Sequence, residues 1–130
     1  MKTFEMKTMI HFGENALDRL TQIPYKKVLI ITDPFVVTSK MIDLITVPLE
    51  RANIQYDIFQ DVVPDAPVGK IAVGVKKFLE YMPEAVVAVG GGSAIDSSKA
   101  IREFALRINN YGNVGLIAIP TTSGTGSEVT

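Results

Sequence analysis

The sequence predicts an α/β fold with a mostly parallel sheet and helices on both faces. Three apolar runs of strand length, at 27–32, 85–89 and 116–119, lack the in/out alternation of half-exposed strands and read as strands covered on both sides. The segments between them carry apolar residues at helical spacing. Strands alternating with helices imply βαβ units joined by right-handed crossovers.

Taken in order, residues 4–12 alternate loosely (Phe4, Met6, Ile10, Phe12) and suggest one or two short edge strands that end at Gly13. Lys27–Thr32 is a buried parallel strand leaving through Asp33-Pro34. Residues 35–52 place Val37, Met41, Leu44, Ile45 and Leu49 near helical spacing, with Pro48 expected to kink or split the helix. Tyr56–Phe59 is a short strand, and Pro64-Asp65-Ala66-Pro67 a turn. Ile71, Val75, Phe78, Leu79 and Met82 form one helical face. Ala85–Val89 is the next strand, followed by Gly90-Gly91-Gly92-Ser93 and a helix with the stripe Ala94, Ser97, Ile101, Phe104, Ala105 and Ile108. Leu116–Ile119 then runs into Pro120 and the loop Thr121–Ser127. No internal repeat, low-complexity segment or internal domain boundary is visible.

At 130 residues, 47% hydrophobic and 21% charged, the chain has the profile of one globular domain. Thirteen basic against fourteen acidic residues give a net charge of −1 without like-charge runs, so no nucleic-acid partner is expected. Cysteine is absent, which excludes disulfides and thiolate metal sites. Neither a signal peptide nor a membrane span is recognisable, and a cytoplasmic setting is expected.

In an open parallel sheet, ligands bind outside the carboxyl ends of the strands. Asp33, the Gly90–Ser93 turn and the Thr121–Ser127 loop all fall there. Glycines between a buried strand and a helix let bare N–H groups approach an anion where the helix dipole favours it. The same glycines would equally serve a tight turn, and the sequence is neither GxGxxG nor a Walker loop. Ser93 and Asp96 match a capping box, S-x-x-D; Asp96 could instead point toward the reacting end of a cofactor. Asp33 is placed to accept from ribose hydroxyls and repel a 2′-phosphate, or simply to cap the helix that follows. His11, the only histidine, receives no role.

The stretch from Gly90 to Ala100 (GGGSAIDSSKA) and, one strand later, the stretch from Ala118 to Thr130 (AIPTTSGTGSEVT) resemble the paired signature of the iron-containing (group III) alcohol dehydrogenases. Phe12-Gly13 and the strand ending at Asp33 are similar too. The resemblance implies a Rossmann-like NAD-binding N-terminal domain over 1–130. It puts Asp33 on the adenosine ribose, and Gly91, Gly92, Ser93, Ala94, Ile95 and Asp96 along the pyrophosphate toward the nicotinamide. Thr121, Thr122, Ser123, Gly124 and Thr125 then lie around the nucleotide, and Asp65 stands where many relatives have an adenine-side asparagine. Within the family, the sequence most resembles the propanol and ethanol dehydrogenases of propanediol- or ethanolamine-utilising microcompartments.

The implied reaction is hydride transfer between a short primary alcohol, or its aldehyde, and nicotinamide, in an enzyme that is at least a dimer. The metal, Fe(II) or Zn(II), would be held by an aspartate and three histidines of a helical second domain that these 130 residues do not contain. Residues 1–130 are therefore expected to be inert alone. Sister enzymes such as glycerol dehydrogenases, and a nucleotide-binding module without chemistry, are the alternatives.

Overall fold

The computed structural model describes Leu17, residues 19–63 and residues 68–121. The expected edge strands at 4–12 and the turn at 64–67 lie outside them. After a 3-10 turn at Arg19–Gln22 come β1 (Lys27–Thr32), α1 (Pro34–Thr38), α2 (Asp43–Arg51), β2 (Gln55–Phe59), α3 (Val68–Tyr81), β3 (Ala85–Gly90), α4 (Gly92–Ile108) and β4 (Gly115–Pro120). The four strands form one sheet in the order β2-β1-β3-β4, and every described pairing is parallel.

Period-two alternation splits the strand side chains between two cores. Val28, Ile30, Val87, Val89, Ile117 and Ile119 face one layer, where Val36 of α1 and Ile45 and Leu49 of α2 cover them. Leu29, Ile31, Val86, Ala88 and Leu116 face the other, against Val75 and Phe78 of α3 and Ala94, Ile101 and Ala105 of α4. Both faces of β1 and β3 are dry, which is why those strands read as unbroken apolar runs. Helices α3 and α4 approach closely at Gly74, where an added Cβ would stand 2.4 Å from Ile101 Cδ1.

Three helical expectations need correction. The 35–52 segment does split, but at Ser39–Ile42 rather than at Pro48. Ser39 Oγ lies 3.4 Å from the Val36 carbonyl and 3.3 Å from the Met41 N–H, and Lys40 turns left-handed at φ 70°. Pro48 sits inside α2 with its ring buried, so apolar burial offsets the missing hydrogen bond, while Leu44 faces solvent. Met82 lies beyond α3, at φ 54° in the left-handed position that ends a helix, its N–H donating to the Phe78 carbonyl at 2.7 Å.

The third correction concerns the α4 stripe. Ala94, Ser97, Ile101 and Ala105 are buried as expected, but Phe104 and Ile108 are 49% and 68% exposed. They face sideways, toward Val68, Ile71, Val75 and Leu79 of α3, and with them line an apolar groove of about 790 Å³. A periodicity argument cannot tell a side chain aimed at the sheet from one aimed at a neighbouring helix.

At the amino end of the sheet, the Tyr111 hydroxyl donates to the Pro83 carbonyl at 2.6 Å, and its ring lies 6.2 Å from that of Phe78. Burial pushes the Tyr111 phenol up from 10.0 to about 12. Folding thus favours the protonated phenol. The stabilisation is complete below pH 10 and is lost as pH rises through 12. Urea midpoints should therefore fall more steeply over that window in the wild type than in Tyr111→Phe, with the wild type's advantage at pH 8 shrinking. Parallel pH profiles for the two proteins would refute this assignment.

The candidate coenzyme crevice at the carboxyl ends of the strands

The chain leaves β1 toward β2 on one side and, after β2 and α3, returns to β3 on the other. The β1/β3 boundary is therefore the topological switch point, where the loops part and open a crevice. Asp33 follows β1 and Gly91 follows β3, so two of the residues singled out from sequence flank this opening. Asp33, Val62, Val63, Gly91, Gly92, Ser93 and Ala94 line a pocket of about 120 Å³ there. The larger α3/α4 groove offers an apolar surface and no comparable set of backbone donors.

The glycines are not interchangeable. Gly90 has φ +141°, and a Cβ on it would stand 2.8 Å from Ala94 Cβ and 3.1 Å from Asp33 Oδ2. Only glycine lets the Asp33 carboxylate and the first turn of α4 come this close. At Gly92, by contrast, a Cβ would meet nothing within 4 Å. That space lies in front of the helix N-terminus.

The expected capping box is not formed. The N-cap of α4 is Gly91, in extended conformation (φ −84°, ψ −165°), and no side chain caps the helix. Helix α4 begins before Ser93, which places Ser93 and Asp96 inside the helix, both exposed, rather than at its cap and third position. The first-turn N–H groups consequently face the crevice without a side-chain acceptor, carrying the partial positive charge of a 17-residue helix.

Asp33 makes the helix cap considered for it from sequence. Its Oδ1 accepts from the Val36 N–H at 2.9 Å and caps α1, while Oδ2 is the oxygen turned toward Gly90. One carboxylate oxygen is thus committed to holding the side chain in place and the other faces the crevice. Thr121 stands directly beyond β4, its N–H donating to the Gly90 carbonyl at 3.0 Å. Ile95 is half-buried behind the first turn. Asp65, Thr122, Ser123, Gly124 and Thr125 lie outside the described residues. The geometry adds Val62 and Val63, an apolar pair lining the same pocket; the only sequence signal was a short apolar step after β2.

The family model described as iron-containing alcohol dehydrogenase matches residues 7–130. The chain belongs to the iron-containing alcohol dehydrogenases. Across its whole length it is 37% identical to a 1-propanol dehydrogenase of Citrobacter freundii, covering 35% of that protein. Over 86% of its length it is 37% identical to an NAD-dependent methanol dehydrogenase of Bacillus methanolicus, covering 32% of that protein. The structure superposes on an iron-containing alcohol dehydrogenase of Thermococcus thioreducens with a TM-score of 0.75 and 27% identity, over 92% of this chain and 37% of that one. The chain thus spans about a third of the length of the relatives it matches.

The iron that names the family has no ligand set here: among the described residues, no three His, Cys, Asp or Glu side chains come together to hold a metal ion. The described residues thus do not fit a metal ion. The uncapped start of α4 and the open space at Gly92 do leave room for an anionic group. Among the described residues, no helix is long and apolar enough to cross a membrane.

Proposed function

We propose that this chain forms the dinucleotide site of an NAD-dependent, metal-dependent alcohol dehydrogenase that interconverts a short primary alcohol and its aldehyde. The observation that carries the reading is the apposition of Asp33 Oδ2 and the uncapped start of α4 across the switch point. The first-turn N–H groups of α4 receive the pyrophosphate. Asp33 accepts hydrogen bonds from the adenosine ribose and disfavours a 2′-phosphate by charge. Ser93, Ala94, Ile95 and Asp96 run along α4 toward the nicotinamide, with Asp65 on the adenine side and Thr121–Thr125 around the nucleotide.

Bound NAD would supply the hydride acceptor for alcohol oxidation, while the first turn of α4 and Asp33 would hold its pyrophosphate and adenosine ribose. Binding and orienting the coenzyme is the part assigned to residues 1–130. By themselves they should bind NADH without oxidising alcohols, and sustained turnover by this chain would overturn that assignment. The choice of a propanol-like substrate, a homo-oligomeric enzyme and a cytoplasmic or microcompartment setting extends the reading from the relatives' names and the sequence resemblance.

Asp33→Asn tests the coenzyme assignment with little disturbance, because asparagine is as good an N-cap as aspartate. Calorimetric titration should show NADH preferred over NADPH by the wild type. The preference should shrink by about tenfold in Asp33→Asn, as expected when a unit charge near a phosphate is removed at an effective dielectric of about 20 and further screened by salt. An unchanged preference would remove Asp33 from the site.

A further inference from the structure

Thr32, the last residue of β1, is wholly buried, and its hydroxyl donates to the Val89 carbonyl of β3 at 2.7 Å. Thr32 and Val89 are register partners, one residue before Asp33 and Gly90 respectively. The Gly90 carbonyl accepts from Thr121 on the β4 side, so the alternating Val89 carbonyl faces β1. The Thr32 side chain therefore fastens the two strands at the last position before they part.

We infer that Thr32 is a positioning residue for coenzyme discrimination. Its hydroxyl fixes the Asp33 carboxylate relative to the Gly90–Gly92 turn without touching the ligand. The inference rests on the nucleotide reading given above. Two contacts fix the arrangement around Thr32, its own carbonyl accepting from the Val62 N–H at 3.4 Å and Asp33 pinned to Val36, and the space between Asp33 Oδ2 and Gly90 is so narrow that a Cβ on Gly90 would stand 3.1 Å from that oxygen. The β1 end, the β3 end and the Val62-Val63 wall thus share one anchor. Without the hydroxyl, Val89 keeps a buried carbonyl lacking that donor, and the carboxylate loses its reference to the glycine turn.

The test uses the 130-residue chain with Thr32→Val, which keeps the shape, and Thr32→Ser, which keeps the hydroxyl. NADH and NADPH affinities are measured by calorimetry, and urea midpoints by circular dichroism. Thr32→Val should lower the NADH-to-NADPH affinity ratio by roughly fivefold, the factor matching one ordinary net hydrogen bond. Thr32→Ser should hold the ratio near wild type even if its lost methyl lowers stability. A purely structural role would lower stability in both variants and leave the ratio unchanged, which would overturn the inference alone. A folded wild type that binds neither nucleotide would overturn the nucleotide reading and this inference with it. If Thr32→Val does not fold, Thr32→Cys, which offers only a weak S–H donor, takes its place: a ratio lowered toward that of Asp33→Asn supports the anchor, and a wild-type ratio contradicts it.

Discussion

Gly90→Ala should lose about 3 kcal/mol of stability and melt roughly 10 °C lower than the wild type, because two costs coincide at that atom. The backbone stands at φ +141°, a region that L side chains rarely adopt, and the new methyl would press on Ala94 Cβ and Asp33 Oδ2. Neither neighbour yields easily. Ala94 is buried in the first turn of α4 and Asp33 is held by its cap on α1. Relief requires the crevice to open, so NADH binding should fall with stability. Gly69→Ala is the control: it lies in α3, with nothing within 4 Å of the added carbon, and should be neutral or slightly stabilising. Equal melting temperatures for Gly90→Ala and the wild type would mean that the strand-to-helix turn is wrongly understood.

Gly92→Asp should do the opposite to stability while removing function. Gly92 is the first residue of α4 and has open space before it, so a carboxylate there meets no clash. Next to the positive end of the helix dipole it should contribute about 0.3–1 kcal/mol of stability. The same charge would stand where a pyrophosphate binds. Repulsion of about 4 kcal/mol between unit charges 4 Å apart, at an effective dielectric of about 20, corresponds to an affinity loss of a hundredfold or more even after screening. Calorimetry and thermal melts on one preparation read both effects. A variant that is as stable as the wild type and still binds NADH would place the nucleotide elsewhere.

The strands were legible because both faces of β1 and β3 are buried: Val28–Ile31 and Ala85–Gly90 leave no polar residue to blur the run. The parallel order followed from the helices between them. The crevice was legible in part, since the glycines and Asp33 each occupy the end of a strong strand and the switch point brings such ends together. The division of labour between the two Asp33 oxygens was hidden, because capping and ligand binding are satisfied by the same residue in the same place. Ser93-x-x-Asp96 misled because Gly90 turns the chain early enough for α4 to begin at Gly92. The break at Ser39–Ile42 carries no proline or glycine, only a serine that competes for backbone groups and a lysine in a left-handed conformation. Thr32 read as one more β-branched strand residue, and its role is visible only once β3 is placed beside β1.

The most direct test of the central claim is amide NMR of the isotopically labelled chain during titration with NADH. The largest shifts should fall on Asp33–Val36, Val62-Val63 and Gly90–Ala94, with the α4 first-turn N–H groups moving most. Shifts confined to the α3/α4 groove around Val75 and Phe104, or none in a folded chain, would contradict the assignment of this crevice to the coenzyme.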